Sequence, residues 1–163
     1  MKAKKRSWAA DILVVASFLA LLVSAYLLYT HYSSETSSWC NLGESLNCDI
    51  VNKGEYSTID GPLNLVLGTY LNIPVPNALV SILVFLIILA LAAALRRGTS
   101  RYGLAPTQML ALVRSLLGLS ILYALFLVYI EAYVLYTWCI VCLVLDAVIV
   151  VAAIAALFMG VKR

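Results

Sequence analysis

Apolar residues run almost unbroken through four stretches of this chain, about 8–29, 78–95, 109–134 and 138–161, and polar residues collect between them. Each run approaches or exceeds the roughly 20 residues a helix needs to cross a hydrocarbon layer about 30 Å thick. Lipid offers backbone N–H and C=O groups no partner, and the alternation of a barrel strand is missing, so each run is predicted to be a helix. The expected fold class is all-α: an integral membrane bundle of four transmembrane helices, one domain over 1–163, with an extracytoplasmic loop or lid (about 30–77) between the first two. Composition agrees, since 64% apolar and 12% charged residues cannot clothe a water-soluble surface. The opening MKAKKR resembles the start of a signal peptide, but the apolar run behind it is too long and no A-x-A site follows at once. We therefore read it as a retained span.

Charge then orients the bundle. Lys2, Lys4, Lys5 and Arg6 precede the first span, Arg96, Arg97 and Arg101 separate the second from the third, and Lys162 and Arg163 follow the fourth. Basic residues mark cytoplasmic segments, so both termini are expected inside, in a multi-pass membrane protein. The 30–77 segment holds Lys53 against Glu35, Glu44, Asp49, Glu55 and Asp60, and is expected to face outward with the turn before Trp138. The net charge of +3 is a topology signal, and nothing else supports nucleic-acid binding.

Four cysteines fall into two pairs, Cys40 with Cys48 and Cys139 with Cys142, all expected in the outward compartment, where disulfides persist. Three connectivities are possible. In W-C-I-V-C the sulfurs of Cys139 and Cys142 share one face at the start of the fourth helix, near enough to bridge. The helix N-terminus favours a thiolate at Cys139, while Cys142 lies a turn deeper in apolar surroundings, placed to meet something arriving through the membrane. Cys40 and Cys48 sit in a polar loop with Asn41, Gly43 and Asn47, where we expect accessible, mobile sulfurs. A mobile pair beside a fixed one suggests a relay by thiol–disulfide exchange. The plainer alternatives are two structural staples or a zinc site. A bridge across one helical turn constrains little in the unfolded chain, and a zinc site would lack histidine support.

Asp146 follows Cys142 by four residues and faces the same way. A carboxyl at that depth is costly, so it should point inward, where it could hydrogen-bond a ligand carbonyl, carry a proton, or serve helix packing. Asn77 is expected to cap the second span while offering a donor and an acceptor to a pocket. Glu131 is weighed as a pocket wall or part of a proton path and read in preference as a solvated rim residue. Asp11 and Arg114 are expected to mark inner helix ends or pair in the bundle, and His31 to be solvated. Tyr26, Tyr29, Tyr129, Tyr133 and Tyr136, with Trp39 and Trp138, suit an outer aromatic belt. The apolar segment I-D-G-P-L-N-L-V-L-G-T-Y-L-N-I-P-V-P is too short to span and is expected to lie on the membrane as a lid.

The loop pair spaced C-x7-C, then C-D-I-V, G-P-L-N-L-V-L-G, Asn77 and a C-I-V-C opening the last helix together resemble the vitamin K epoxide reductase family across nearly the whole chain. C-I-V-C matches the animal enzymes and Y-I-E-A-Y-V-L looks prokaryotic. The resemblance implies a four-helix bundle around a quinone of menaquinone, ubiquinone or vitamin K type, with no metal. Cys139 and Cys142 would be the active pair, Cys142 nearest the ring, Cys40 and Cys48 the shuttle pair, and Asn77 the ligand of a quinone oxygen. Two positions depart: Gly54 stands for the usual serine or threonine, with Ser57 nearby, and Asp146 for the usual tyrosine. DsbB-type proteins use a similar bundle with the two cysteine motifs in reverse order.

The expectation is a membrane thiol–disulfide oxidoreductase fed by a separate thioredoxin-like protein, because no such domain is fused here. It would form disulfides at a prokaryotic plasma membrane or recycle vitamin K in an animal endoplasmic reticulum. The alternative is a non-enzymatic scaffold or assembly subunit stapled by two bridges.

Overall fold

The computed structural model describes residues 2–35, 40–43, 45–68, 70–98 and 103–160, with side chains from Trp8 onward. Trp39, Glu44, Arg101, Lys162 and Arg163, invoked above, lie outside the described residues.

Among the described residues six α-helices follow one another: α1 Lys2–Tyr32, α2 Cys48–Lys53, α3 Asp60–Leu67, α4 Asn77–Arg97, α5 Pro106–Ile130 and α6 Ile140–Phe158. Four stretches of the described residues are long and apolar enough to cross a membrane: Trp8–Tyr32, Asn77–Arg97, Pro106–Leu135 and Ile140–Phe158. Among the described residues there is no strand, only single bridges between Leu46 and Trp138 and between Thr58 and Pro76. The protein is an all-α, multi-pass membrane bundle.

Span boundaries shift in informative ways. The first helix runs on to Tyr32, the third continues beyond Ile130 through a π-helical turn at Glu131–Leu135, and the fourth starts at Ile140 with Cys139 as its cap and stops at Phe158. Apolar run length sets the span, but local hydrogen bonding sets its ends.

In the bundle α1 packs on α4 and α6, and α5 rests on α4 and α6. The inward stripe of α1 is made of small residues, Ala9, Ala16, Ser17, Ala20 and Ser24, with Leu13 and Leu27 between them, all buried. They meet Ala92 and Ala94 of α4 and Ala152, Ala155 and Ala156 of α6, also buried. Hydrocarbon removes the hydrophobic drive between helices, so close backbone approach over small side chains supplies the contact instead. The Ser24 and Ser81 hydroxyls share a hydrogen bond of 2.7 Å between α1 and α4. Such a bond contributes about 0.6–2 kcal/mol.

One end of the bundle is closed by charge. Arg96 Nε pairs with Asp11 Oδ1 at 2.7 Å. Arg114 donates to the carbonyls of Ala156, Leu157 and Met159 at 3.1, 3.2 and 2.9 Å, satisfying acceptors that the end of α6 would leave bare. Asp11 and Arg114 thus hold helix ends, each with a partner other than the other.

Between α1 and α4 the described residues build short helices of their own. After α2 comes a 3-10 turn, Glu55–Ser57, then α3. A side chain at Gly61 would run into the Glu55 carbonyl and the Tyr56 backbone, so glycine lets α3 begin against that turn. The Asn64 amide closes the exit of α3, accepting from Leu71 N at 2.8 Å and donating to Leu71 O at 3.0 Å. Leu65, Val66, Leu67, Tyr70, Leu71 and Ile73 stay exposed on this lid.

Candidate functional site

At the end of the bundle opposite Arg96 and Arg97, the cysteine segments come together. Cys139 sits in extended backbone just before α6, and its Sγ accepts the N–H of Cys142 at 3.2 Å. The sulfur itself caps the helix, and the two residues are free thiols. Cys139 is buried and Cys142 half-buried.

The approach to Cys139 is bent by the π turn. Tyr136 closes it in the left-handed region at φ 52°, returning its N–H to the Glu131 carbonyl, and Thr137 N donates to the same oxygen at 3.1 Å. A bulky residue there costs about 1–2 kcal/mol, strain of a kind that gathers at functional sites. The bend turns Glu131 inward. It is 3% exposed, and its Oε2 accepts the Cys139 N–H at 3.0 Å. The reading of Glu131 as a solvated rim residue is therefore corrected: α5 does not end in water but turns back over its own carboxyl.

The other pair is held against this turn. Trp138 N donates to Ser45 O at 3.0 Å and Asn47 N donates to Trp138 O at 3.1 Å. One bond thus joins the neighbour of Cys48 to the neighbour of Cys139. Cys40 and Cys48 are bridged to each other, with Cα atoms 5.7 Å apart. Both are buried, Cys40 completely, which corrects the expectation of accessible, mobile sulfurs. The cause is α2, capped by Asn47 Oδ1, which accepts from Asp49 N and Ile50 N at 3.1 Å each. Asn52 pins α2 to α1, donating to Leu27 O at 2.8 Å and Thr30 Oγ1 at 2.7 Å. His31 also takes part, its Nδ1 lying 2.6 Å from Asn52 O, so it is not the idle solvated residue expected.

Between α4, α5 and α6, roofed by Val51, Asn52, Tyr56 and Ser57, lies a cavity of about 310 Å³. Its walls are mostly apolar, with Leu27, Val80, Val84, Phe85, Leu116, Leu119, Leu127, Leu145 and Ile149. Asn77, Ser81, Ser120, Tyr123, Glu131, Cys142 and Asp146 bring polar atoms to it. Cys139 does not line it, so Cys142 alone of the four cysteines faces the space. Asp146 reaches the cavity with no hydrogen-bond partner among the described residues.

Asn77 is in the wall but not as the cap expected of it. Pro76 occupies the cap position and Asn77 is the first helical residue. Its Nδ2 donates to Tyr56 O at 2.9 Å, and its Oδ1 accepts from the Tyr123 hydroxyl at 2.7 Å. Only one amide hydrogen is left for a ligand. Tyr123 had no distinguishing signal in the sequence, being one of ten tyrosines. Glu131 did have one, a charge late in an apolar run.

The departure at Gly54 also has a local account. A side chain there would strike the Ile50 carbonyl, and Ser57 supplies the nearby hydroxyl, donating to Gly54 O at 2.6 Å while lining the cavity. Among the described residues no group of three or more His, Cys, Asp or Glu side chains is placed to hold a metal ion.

A four-helix membrane bundle with a bridged pair clamped beside a helix-opening C-x-x-C defines a class of membrane-embedded redox proteins. The chain belongs to the vitamin K epoxide reductase family, whose sequence model matches residues 11–157. No curated protein matches it in sequence. Family membership makes it a membrane oxidoreductase of the thiol–disulfide type.

Proposed function

We propose that this protein carries electrons from a reduced thioredoxin-like protein through Cys40 and Cys48 to Cys139 and Cys142, and from Cys142 to a quinone in the cavity. The observation that carries this reading is the hydrogen bond between Asn47 and Trp138, which sets the chain positions of Cys48 and Cys139 side by side. The second support is Cys142 opening on an apolar cavity between spans.

The steps balance. The partner's two thiols become its disulfide as the Cys40–Cys48 bridge opens. The loop thiols then reduce the Cys139–Cys142 bridge and close again. Finally the Cys139 and Cys142 thiols form their bridge, and the electron pair and two protons convert a quinone to its hydroquinone. A bridged loop pair beside two free helix thiols corresponds to the moment before that last step. For the partner to reach sulfurs this buried, the clamp at Trp138 and the anchor of α2 at Asn52 must both loosen.

The cavity suits the substrate. Its volume is at the small end of ligand pockets, sized for a ring system with an isoprenoid tail leaving between helices into lipid. The remaining Asn77 amide hydrogen would hold one quinone oxygen, and Asp146 stands where it can serve the other. By the positive-inside rule the Arg96 and Arg97 end is cytoplasmic, and the cysteines work at the extracytoplasmic face.

The test is quinone reduction by purified protein in lipid nanodiscs, given a reduced thioredoxin-like donor and a short-tailed naphthoquinone. Activity should vanish in Cys142→Ala, and Cys40→Ala should trap a bridge between Cys48 and Cys139, visible by mass mapping. Undiminished turnover in Cys142→Ala would leave only a stapled scaffold.

A further inference from the structure

We infer that Glu131 is a catalytic proton carrier for the Cys139 and Cys142 thiols, working with Asp146 across the same cavity; this rests on the function proposed above. A carboxyl side chain 3% exposed, within a membrane span, is among the most costly placements a chain can make. Among the described residues its hydrogen bond is the one from the Cys139 N–H at 3.0 Å, which engages Oε2. A glutamine would accept that bond equally well, so capping the α6 entrance does not require an acid. The π turn and the left-handed Tyr136 show that the chain is distorted where this side chain turns in. Such turns in otherwise regular helices gather at functional sites.

Quinone reduction supplies the work that an acid would do. Each cysteine must lose a proton for its sulfur to act, and each quinone oxygen must gain one. Both thiol protons therefore end on the hydroquinone and no outside acid is consumed. Glu131 lines the same cavity as Cys142 and accepts the backbone N–H of its partner cysteine, while Asp146 stands one turn beyond Cys142 on α6. As the S–S bond closes, the Glu131 carboxylate takes one thiol proton and the protonated Asp146 gives its own to one quinone oxygen, while the second thiol proton passes to the other oxygen. Glu131 then hands its proton to Asp146, which restores both carboxyls. The other titratable groups on this cavity are Tyr56 from the roof, Tyr123 from α5 and Cys142 from α6; α1 and α4 contribute none.

Glu131→Gln in the full-length protein tests this, since the amide keeps the Cys139 bond and cannot carry a proton. The expected result is a fall in kcat of at least tenfold, toward the 10²–10⁴-fold typical of general acid–base catalysis, with KM for the naphthoquinone and the thermal midpoint unchanged. The acid limb of the kcat–pH profile should also be lost. Wild-type kcat and an unaltered pH profile in Glu131→Gln would overturn the inference. A parallel Cys142→Ala sample separates the two failures: if it is dead while Glu131→Gln is fully active, only the role of Glu131 falls, and if it remains active the electron route itself falls.

Discussion

The two ends of this bundle are built from the same apolar helices in the same lipid, yet they obey different packing rules. At the arginine end, Ala92, Ala152 and Ala156 are wholly buried and helices meet backbone to backbone. Arg114 and the Arg96–Asp11 pair then seal that end. At the cysteine end α4, α5 and α6 enclose a cavity lined in part by Asn77, Tyr123, Glu131 and Asp146. Close packing is the cheap arrangement in hydrocarbon, where a gap forfeits dispersion contacts. A hollow that also gathers polar side chains is therefore where the proposed function puts its ligand.

Four substitutions sharpen the contrast. The largest effect is expected from Arg114→Gln. Charge-assisted hydrogen bonds to three carbonyls are worth about 1.5–3 kcal/mol each before relaxation, so thermal or denaturant unfolding should show a loss of several kcal/mol. A change below ~1 kcal/mol would mean that the end of α6 finds other donors. Next, Ala92→Leu forces a larger side chain into closed packing and should cost about 1–3 kcal/mol, with turnover per folded molecule preserved. Its counterpart at the hollow end, Val80→Phe, adds bulk of a similar order into open space. It should leave the unfolding midpoint in place and raise KM for the naphthoquinone about tenfold, a loss of ~1.4 kcal/mol in binding. Equal destabilisation by both substitutions would erase the distinction between the ends. The smallest effect belongs to Tyr123→Phe, which frees Asn77 Oδ1. One neutral hydrogen bond is worth about 0.5–1.5 kcal/mol, so KM should rise two- to tenfold with kcat held. An unchanged KM would show that Tyr56 alone orients the amide.

How far the sequence could be read depended on the range of the interaction. The spans were legible because every turn of a membrane helix faces the same demand. The placement of Cys142 and Asp146 four residues apart on one helix face was legible for the same local reason. His31, Asn77 and Glu131 were misread in part because their partners lie 21, 46 and 8 residues away, across turns whose geometry no periodicity encodes. The loop cysteines were expected to move because their neighbours are polar and turn-forming. Burial instead follows from Asn52 reaching back to α1 over a separation of 25 residues to Leu27.

The sequence by itself determined that this chain folds in the membrane as helices, four of them long and apolar enough to cross it among the described residues, and that it carries two cysteine pairs. That much is one-dimensional, since hydrocarbon forces each span to satisfy its own backbone and charge bias acts segment by segment. Only the tertiary structure decided which end is hollow, that Asn47 meets Trp138, and that Glu131 turns under Cys139. Those outcomes depend on where α5 leaves its helical path and on backbone groups closing over long separations, and a residue's type does not reveal which distant partner will satisfy it.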